Sequence, residues 1–495
     1  MDLRSPKSME KDLFEELKED VDNVEMYVEV EDNEVYSEWD KLPDLILENI
    51  FSYLSMREKY WASMTCRNWY RAFYLPMSWT TFVLDDYTLT RKKFNYYSGW
   101  QYVLDHYRTM QCIVNIGRHM RYLIFEPMMN FYNLYEFMNM LSFYAEQSRQ
   151  NDSGDKIGNR IRGLKFVFPC TMGKKPILSE SIRIFGTGGQ ILGSLKRLMT
   201  NLNYLKKLEL VDLMLEDNDA KFLLDEVCNQ CCLQLHTLIL INTTKETLPL
   251  LHPGVFLNLY VLVISPQNIC DDLIQLLGYT RLKHLHIKSN MYSPPVENCK
   301  PISAKVWHQC KIDNPELSVH IECMGTVFWQ YLAPVKSLIF NSPTEMVQTN
   351  VILLAIENYS IYLETFVHQG MPRFVRSKSF HDRADSALML LCNQCSNLRT
   401  IVIRERISTA TILLIASTAK NLEQFFVRKN AVIVKTDWPK SPEWSEEFFT
   451  WLKIASRKYE AVEKEVSQIL GYRWSMLTDK EFKKLRIKPY KSELD

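Results

Sequence analysis

Glycine is scarce in this chain: 15 of 495 residues, about 3% where about 7% is usual. That excludes glycine-rich nucleotide-binding loops as an organising theme. The one glycine-rich stretch, residues 186–193 (GTGGQILG), lacks the Gly-Lys-Ser/Thr ending and the Gly-x-Gly-x-x-Gly spacing, so it reads as a turn before a helix. No charge surplus exists, with 59 Lys+Arg against 59 Asp+Glu, which argues against a nucleic-acid partner. The N-terminus shows neither a basic n-region nor an apolar h-region, so no signal peptide is expected. The longest aliphatic run, Ile412 to Ala416, is too short to cross a bilayer, and no membrane partner is expected. Twelve cysteines fall far below disulfide-scaffold density. The expectation is a reducing compartment, cytoplasmic or nuclear, with free thiols.

Apolar residues make up 46% of the chain, enough for a sizeable core. Its length fits two or three domains or one long repeat array. The zero net charge hides an uneven distribution. Residues 10–34 hold twelve Asp/Glu against Lys11 and Lys18, and 1–36 are predicted to be a disordered acidic tail. Residues 453–491 hold eleven Lys/Arg against five Asp/Glu. Between Trp444 and Leu470, apolar Phe448, Trp451, Leu452, Ala455 and Tyr459 recur at the spacing of an amphipathic helix.

Residues 39–79 carry the strongest local pattern. Pro43 suits a first helical turn and Asp44 its positive end. Leu47, Ile50, Phe51 and Leu54 then fall on one helical face. A break at Ser55 and Met56 precedes a second helix through Lys59–Met64 and a third through Cys66–Phe73, ended by Pro76. Three such short helices form too small a core to stand alone. The stretch resembles the F-box. Leu42, Pro43 and Asp44 match its opening, Ile50, Phe51 and Leu54 its middle, Cys66, Arg67 and Trp69 its basic-aromatic motif, and Trp79 its close. Thr65 and the polar second helix depart from the pattern. The resemblance implies that Leu42, Pro43, Leu47, Ile50, Leu54, Cys66 and Trp69 dock onto the Skp adaptor of a cullin-based ubiquitin ligase.

A repeat occupies the rest. Hexads of the Leu-x-x-Leu-x-Leu type begin at Leu205, Leu235, Leu259, Leu282, Val335, Leu363, Leu398 and Leu422. Earlier members begin at Met120 and Ile161, and Leu317–Ile321 reads as a hidden strand. Several intervals, such as Leu235 to Leu259, match the roughly 20–29 residues of leucine-rich repeats. Helical stretches lie between them at Asp219–Cys228, Asp271–Leu277, Ala387–Cys395 and Thr409–Ala419. The repeat is degenerate: the expected Asn after the hexad stands only at Asn290 and Asn430. A non-repeating α/β domain is the alternative.

An F-box followed by leucine-rich repeats is a known arrangement. The aromatic-rich connector and the closing segment with Arg457, Lys458 and Tyr459 resemble the F-box only protein 33 and 39 group. The expected fold is α/β. A three-helix F-box module (37–82) is followed by a helical connector (83–119), a leucine-rich-repeat solenoid (120–435) and a helical cap with a basic tail (436–495). Parallel strands should line a concave face and helices a convex one. With first, fourth and sixth hexad positions buried, the fifth face outward as one binding strip: Glu209, Ile239, Val263, His286, Ile339, Val367, Val402 and Phe426. The alternative is that the C-terminal segment or a long insertion folds over that strip.

Two Cys-x-x-Cys pairs, Cys228/Cys231 and Cys392/Cys395, lie at matching points of the repeat and read as packing residues, not as zinc or redox sites. His284 and His286 read as surface histidines. No catalytic motif appears, and no metal or cofactor is expected. The expected role is a non-catalytic substrate-recognition subunit. Its partners would be the Skp adaptor, through it a cullin, and an unidentified protein substrate. The alternative is a non-ligase interaction scaffold.

Overall fold

The computed structural model describes residues 38–487, apart from 98, 151–155, 171–184, 343–348 and 372–378. The acidic segment 1–36 and the last residues of the basic tail lie outside the described residues.

Among the described residues three α-helices come first: α1 (Asp44–Tyr53), α2 (Met56–Ser63) and α3 (Arg67–Phe73). The second starts three residues earlier than the sequence predicts, because Ser55 and Glu58 form a reciprocal capping box. Leu47, Phe51 and Ala72 are its fully buried core.

Among the described residues sixteen strands follow: β1 (Thr81–Leu84), β2 (Thr90–Asn95), β3 (Gly99–Leu104), β4 (Tyr122–Phe125), β5 (Gly163–Val167), β6 (Lys207–Val211), β7 (Thr237–Ile241), β8 (Val261–Ile264), β9 (His284–Lys288), β10 (Ser318–Cys323), β11 (Val335–Phe340), β12 (Thr365–His368), β13 (Thr400–Ile403), β14 (Ile407–Ser408), β15 (Gln424–Val427) and β16 (Val432–Ile433). Twelve form one parallel sheet in the order β1-β4-β5-β6-β7-β8-β9-β10-β11-β12-β13-β15. Each strand of this sheet pairs with the sheet strand that follows it in chain order, β2, β3 and β14 lying outside, the topology of a solenoid and not of a doubly wound sheet. Within each hexad the first, fourth and sixth side chains are buried: Leu205, Leu208 and Leu210, for example, are each 0% exposed.

The helices Asp271–Gly278, Asp385–Gln394 and Thr409–Thr418 stand where the periodicity puts them. The stretch expected at Asp219–Cys228 splits into Asp217–Lys221 and Asp225–Cys231. The Trp444–Leu470 segment likewise divides into Glu446–Ala455 and Tyr459–Leu470. Buried Ser456 sits at that break, its carbonyl accepting from the Thr409 hydroxyl at 2.7 Å. Gly186 is held by close approach: an added Cβ would lie 2.3 Å from the Met214 carbonyl oxygen.

The connector 83–119 differs from the helical expectation. It contains one helix, His106–Ile116, and an antiparallel hairpin of β2 and β3. The sheet also begins earlier than residue 120. Trp79, Phe82 and Leu84, all buried, occupy first, fourth and sixth positions of an unrecognised hexad, and β1 pairs with β4. Trp79 therefore serves both parts. Its indole N–H donates to the Phe73 carbonyl of α3, the Phe73 ring meets it edge-on at 4.9 Å, and it packs into the sheet core. The Lys59 ammonium of α2 lies 4.8 Å from its ring centre, and burial pulls that amine down to about 8.

One feature of the sheet divides the expected strip. The connection from β10 to β11 carries no helix, and Pro334, which has no N–H, precedes a bulge: Val319 pairs with Val335 but His320 with Ser337. At the bulge the register shifts by one residue, and the hexads of β9 and β11 stand two residues out of line: Leu285 lies in the row of Val319, Leu338 in that of Ile321. The row Glu209–Ile239–Val263–His286 continues into His320 and Ser337. The row Ile339–Val367–Val402–Phe426 continues from Lys288 and Glu322. The fifth positions form two rows, not one.

Candidate functional site

Two surfaces qualify. The first is the helical module. Leu42 and Trp39 lead into α1, and two long-range bonds tie them to α3: Asn68 Nδ2 donates to the Leu42 carbonyl and Trp69 Nε1 to the Trp39 carbonyl, both at 2.9 Å. Arg71 pairs with Asp44, and the Met77 N–H donates to Glu48 at 3.2 Å. The Trp69 ring lies 5.8 Å from Phe51.

Of the residues expected to meet an adaptor, Pro43 is exposed, and Leu42, Ile50, Leu54, Cys66 and Trp69 are half-buried. Leu47 is 0% exposed and belongs to the core, because helical period puts it on the same face as Phe51, which packs against Ala72 of α3. The module instead presents Leu45, 80% exposed, with Ile46, Tyr53, Trp61 and Met64 also in solvent. Those residues were missed because the one-face pattern draws attention to the buried stripe. Large apolar side chains on the opposite side were the available signal.

The second surface is the face of the sheet turned away from the helices. Its last third is covered. Phe482, on the helix Asp479–Lys484, is 1% exposed and packs on Ile339, Val367 and Val402, with Phe426, Leu477, Leu485 and Ile487 around it. Leu477 extends the edge of β15: its N–H donates to the Val427 carbonyl, and its carbonyl accepts from Lys429 N–H, both at 2.9 Å. Arg428 and Asp479 pair at 2.8 Å, and Asn430 donates to the same carboxylate at 2.9 Å. Asp479 is held below the usual carboxylate range, first by its bond from Arg428. Ile339, Val367, Val402 and Phe426 are thus packed under the chain's own C-terminal segment and are not an open binding strip. The physical reason is that an apolar row on a sheet face is costly to leave wet.

The middle of the face is polar and also buried. His286 is 5% exposed and stacks on His320 with ring centres 4.4 Å apart. His284 Nδ1 lies 3.1 Å from His320 Nε2, and His320 Nδ1 lies 3.0 Å from the Ser337 hydroxyl. Burial drives His286 well below its ordinary value and His320 down to about 3, so both rings are neutral. His286 is therefore not the surface histidine that alternation suggests: flanking strands wall it in. Val263 is 6% exposed beside it, in a cluster with Ile241 and Val261. What stays accessible is the N-terminal part of the face: Val83, Ile124, Lys165, Glu209 and Ile239. Its charges pair locally, Lys165 with Glu126 at 3.4 Å and Lys207 with Glu209 at 2.9 Å.

All twelve cysteines are free thiols. Burial pushes Cys228, Cys392 and Cys395 up to about 12 and raises Cys231, so none of the four is a ready thiolate. They sit at helix ends, Cys231 donating to the Leu202 carbonyl at 3.5 Å. Among the described residues no group of three or more His, Cys, Asp or Glu is placed to hold a metal ion. Nor, among them, is any helix long and apolar enough to cross a membrane.

The kind of this capped three-helix module, ending on Trp79, is decided by its match to a known family. Residues 39–81 match the F-box domain. No curated relative matches the chain. Among solved structures, an internalin from Listeria monocytogenes is similar at 12% identity, over 60% of this chain and 92% of the internalin, with a TM-score of 0.23. That likeness carries no functional argument. The repeat architecture rests on the sheet order and the hexads.

Proposed function

We propose that this F-box chain is a non-catalytic substrate-recognition subunit of a Skp-cullin-F-box ubiquitin ligase. The observation that carries the reading is an F-box whose outer surface leaves Leu45, Ile46 and Pro43 in solvent beside half-buried Leu42, Ile50, Leu54, Cys66 and Trp69. An apolar patch of that kind gains free energy when an adaptor covers it. The cullin would then be reached through the adaptor. The mechanism is proximity: the solenoid holds a protein substrate near the ubiquitin-charged enzyme, raising effective concentration and making no bond itself. Substrate would meet the accessible part of the sheet face, around Lys165, Glu209 and Ile239. Twelve free thiols support work in the cytosol or nucleus. The narrower kinship with the F-box only protein 33 and 39 group belongs to this proposal and rests on sequence resemblance alone, in the degenerate repeats, the aromatic segment 83–119 and the closing segment with Arg457, Lys458 and Tyr459.

Co-purification with the Skp adaptor and a cullin tests the reading. The wild type should retain both. Leu45→Asp with Ile46→Asp, both in solvent and so compatible with folding, should weaken adaptor binding by tenfold or more, on the order of 1.4 kcal/mol. A wild-type chain that brings down no adaptor would leave the second reading, a non-ligase interaction scaffold built on the same solenoid.

A further inference from the structure

The hairpin of β2 and β3 belongs neither to the F-box nor to the large sheet. Its register pairs Thr90 with Leu104, Arg91 with Val103, Lys92 with Tyr102, Lys93 with Gln101 and Phe94 with Trp100. The base is fixed. Leu104 is 1% exposed and its N–H donates to Asn133 at 2.8 Å, while the Tyr102 carbonyl accepts from Asn130 and Asn133 at 2.9 and 3.0 Å. Beyond that base both faces of the ribbon lie in solvent. Tyr96 and Tyr97 at the tip are 86% and 95% exposed, Trp100 is 72% and Phe94 58%. Such rings have no reason to stay wet unless something receives them.

Composition and order along the ribbon say what receives them. Residues 87–104 contain no Asp or Glu and three cations, Arg91, Lys92 and Lys93. Lys92 and Lys93 make no ion pair among the described residues, and Arg91 reaches only Asp105, at 4.0 Å. The rings lead: the two tyrosines first, then the Phe94–Trp100 pair, edge-to-face at 5.4 Å. The cations stand behind them, Lys93 one pair back and Arg91 three pairs back, about 10 Å at strand spacing. A single strand of nucleic acid would ask for cations alongside the stacking rings. Rings ahead and cations behind match a planar anionic surface, where Trp and Tyr enter the headgroup layer and Lys or Arg meet lipid phosphate.

We propose that the ribbon Thr90–Leu104 docks this protein on an anionic lipid bilayer, with Tyr96, Tyr97, Phe94 and Trp100 entering the interface and Arg91, Lys92 and Lys93 on the headgroups. This is contact with one leaflet and not a span, and it stands independently of the ligase reading. The test is sedimentation of the full chain with vesicles of phosphatidylcholine alone or mixed with phosphatidylserine. The wild type should pellet with the mixed vesicles, stay in solution with phosphatidylcholine alone, and be released by salt. Lys92→Ala and Lys93→Ala should each weaken binding about fivefold. Tyr96→Ser with Tyr97→Ser and Trp100→Ser should abolish it while the thermal transition of the sheet is unchanged. The proposal is overturned if the wild type stays in the supernatant with mixed vesicles, or if the tip variant pellets as the wild type does. It is equally overturned if a single-stranded oligouridylate binds the same ribbon and the vesicles do not.

Discussion

Buried histidines on the polar part of the sheet contribute to the protein's response to acid. His286 and His320 are buried neutral, with His320 lowered from 6.5 to about 3. The unfolded chain takes up their protons below about 6.5 while the folded chain refuses them. Stability is therefore present above that value and lost as pH falls toward 3. His320→Gln should be the less stable protein at pH 7.5, having lost its stacking. Its deficit against wild type should shrink at pH 5, as urea unfolding at the two values would show; a constant deficit would refute the account. Arg404 is a second such residue. Its side chain is 0% exposed, donates to the carbonyls of Ser342 and Gln369, and pairs with Glu405 at 3.0 Å. Burial lowers it and Glu405 offsets part of that. Arg404→Met leaves Glu405 with His368 Nδ1 at 3.3 Å and takes a donor from two carbonyls, and a loss of about 3–5 kcal/mol is expected by chemical denaturation. Neither residue stands out in the sequence, where both occupy strand or strand-end positions that alternation assigns to solvent.

The C-terminal segment is the element that changes the reading most. Its helix Asp479–Lys484 is capped reciprocally by Thr478 and Glu481, and it delivers Phe482 to the row of Ile339, Val367 and Val402. Leu477 also blocks the edge of β15, which would otherwise offer unpaired backbone to other chains. Phe482→Asp should release this segment and leave the sheet intact. Dye binding to exposed apolar surface should rise, and proteolysis near Lys483 should accelerate, with circular dichroism little changed. For comparison, removing a buried Phe side chain costs about 3–5 kcal/mol. If dye binding stays at the wild-type level, the segment is not what keeps that row dry. The hexads on either side were legible because leucine at first, fourth and sixth positions has one physical use in such a repeat. The covering was open as an alternative, since a basic amphipathic tail says nothing of where it lands.

Trp79 is where the molecule becomes one body. It closes the F-box and opens the first hexad, so the helical module is joined to the sheet through a shared buried ring and no free linker. On the proposed ligase reading, that joint sets the distance between substrate and adaptor. Trp79→Ala should uncouple the two parts. Calorimetry should resolve a separate, earlier transition for the helical module, with the sheet's transition preserved; a single shifted transition would mean the joint is not the coupling element. The remaining line between sequence and structure follows range. The sequence by itself determined the F-box, the strand-helix repeat and the buried hexad positions, because each depends on neighbours a few residues away and on periods of 2 and 3.6. Only the tertiary structure decided the rest: the bulge beside Pro334 that breaks the strip in two, the burial of His286, the Phe482 cover, and the ribbon of aromatic rings at 94–100. Those depend on which distant segments meet, and the free energy of such meetings is written in no local pattern.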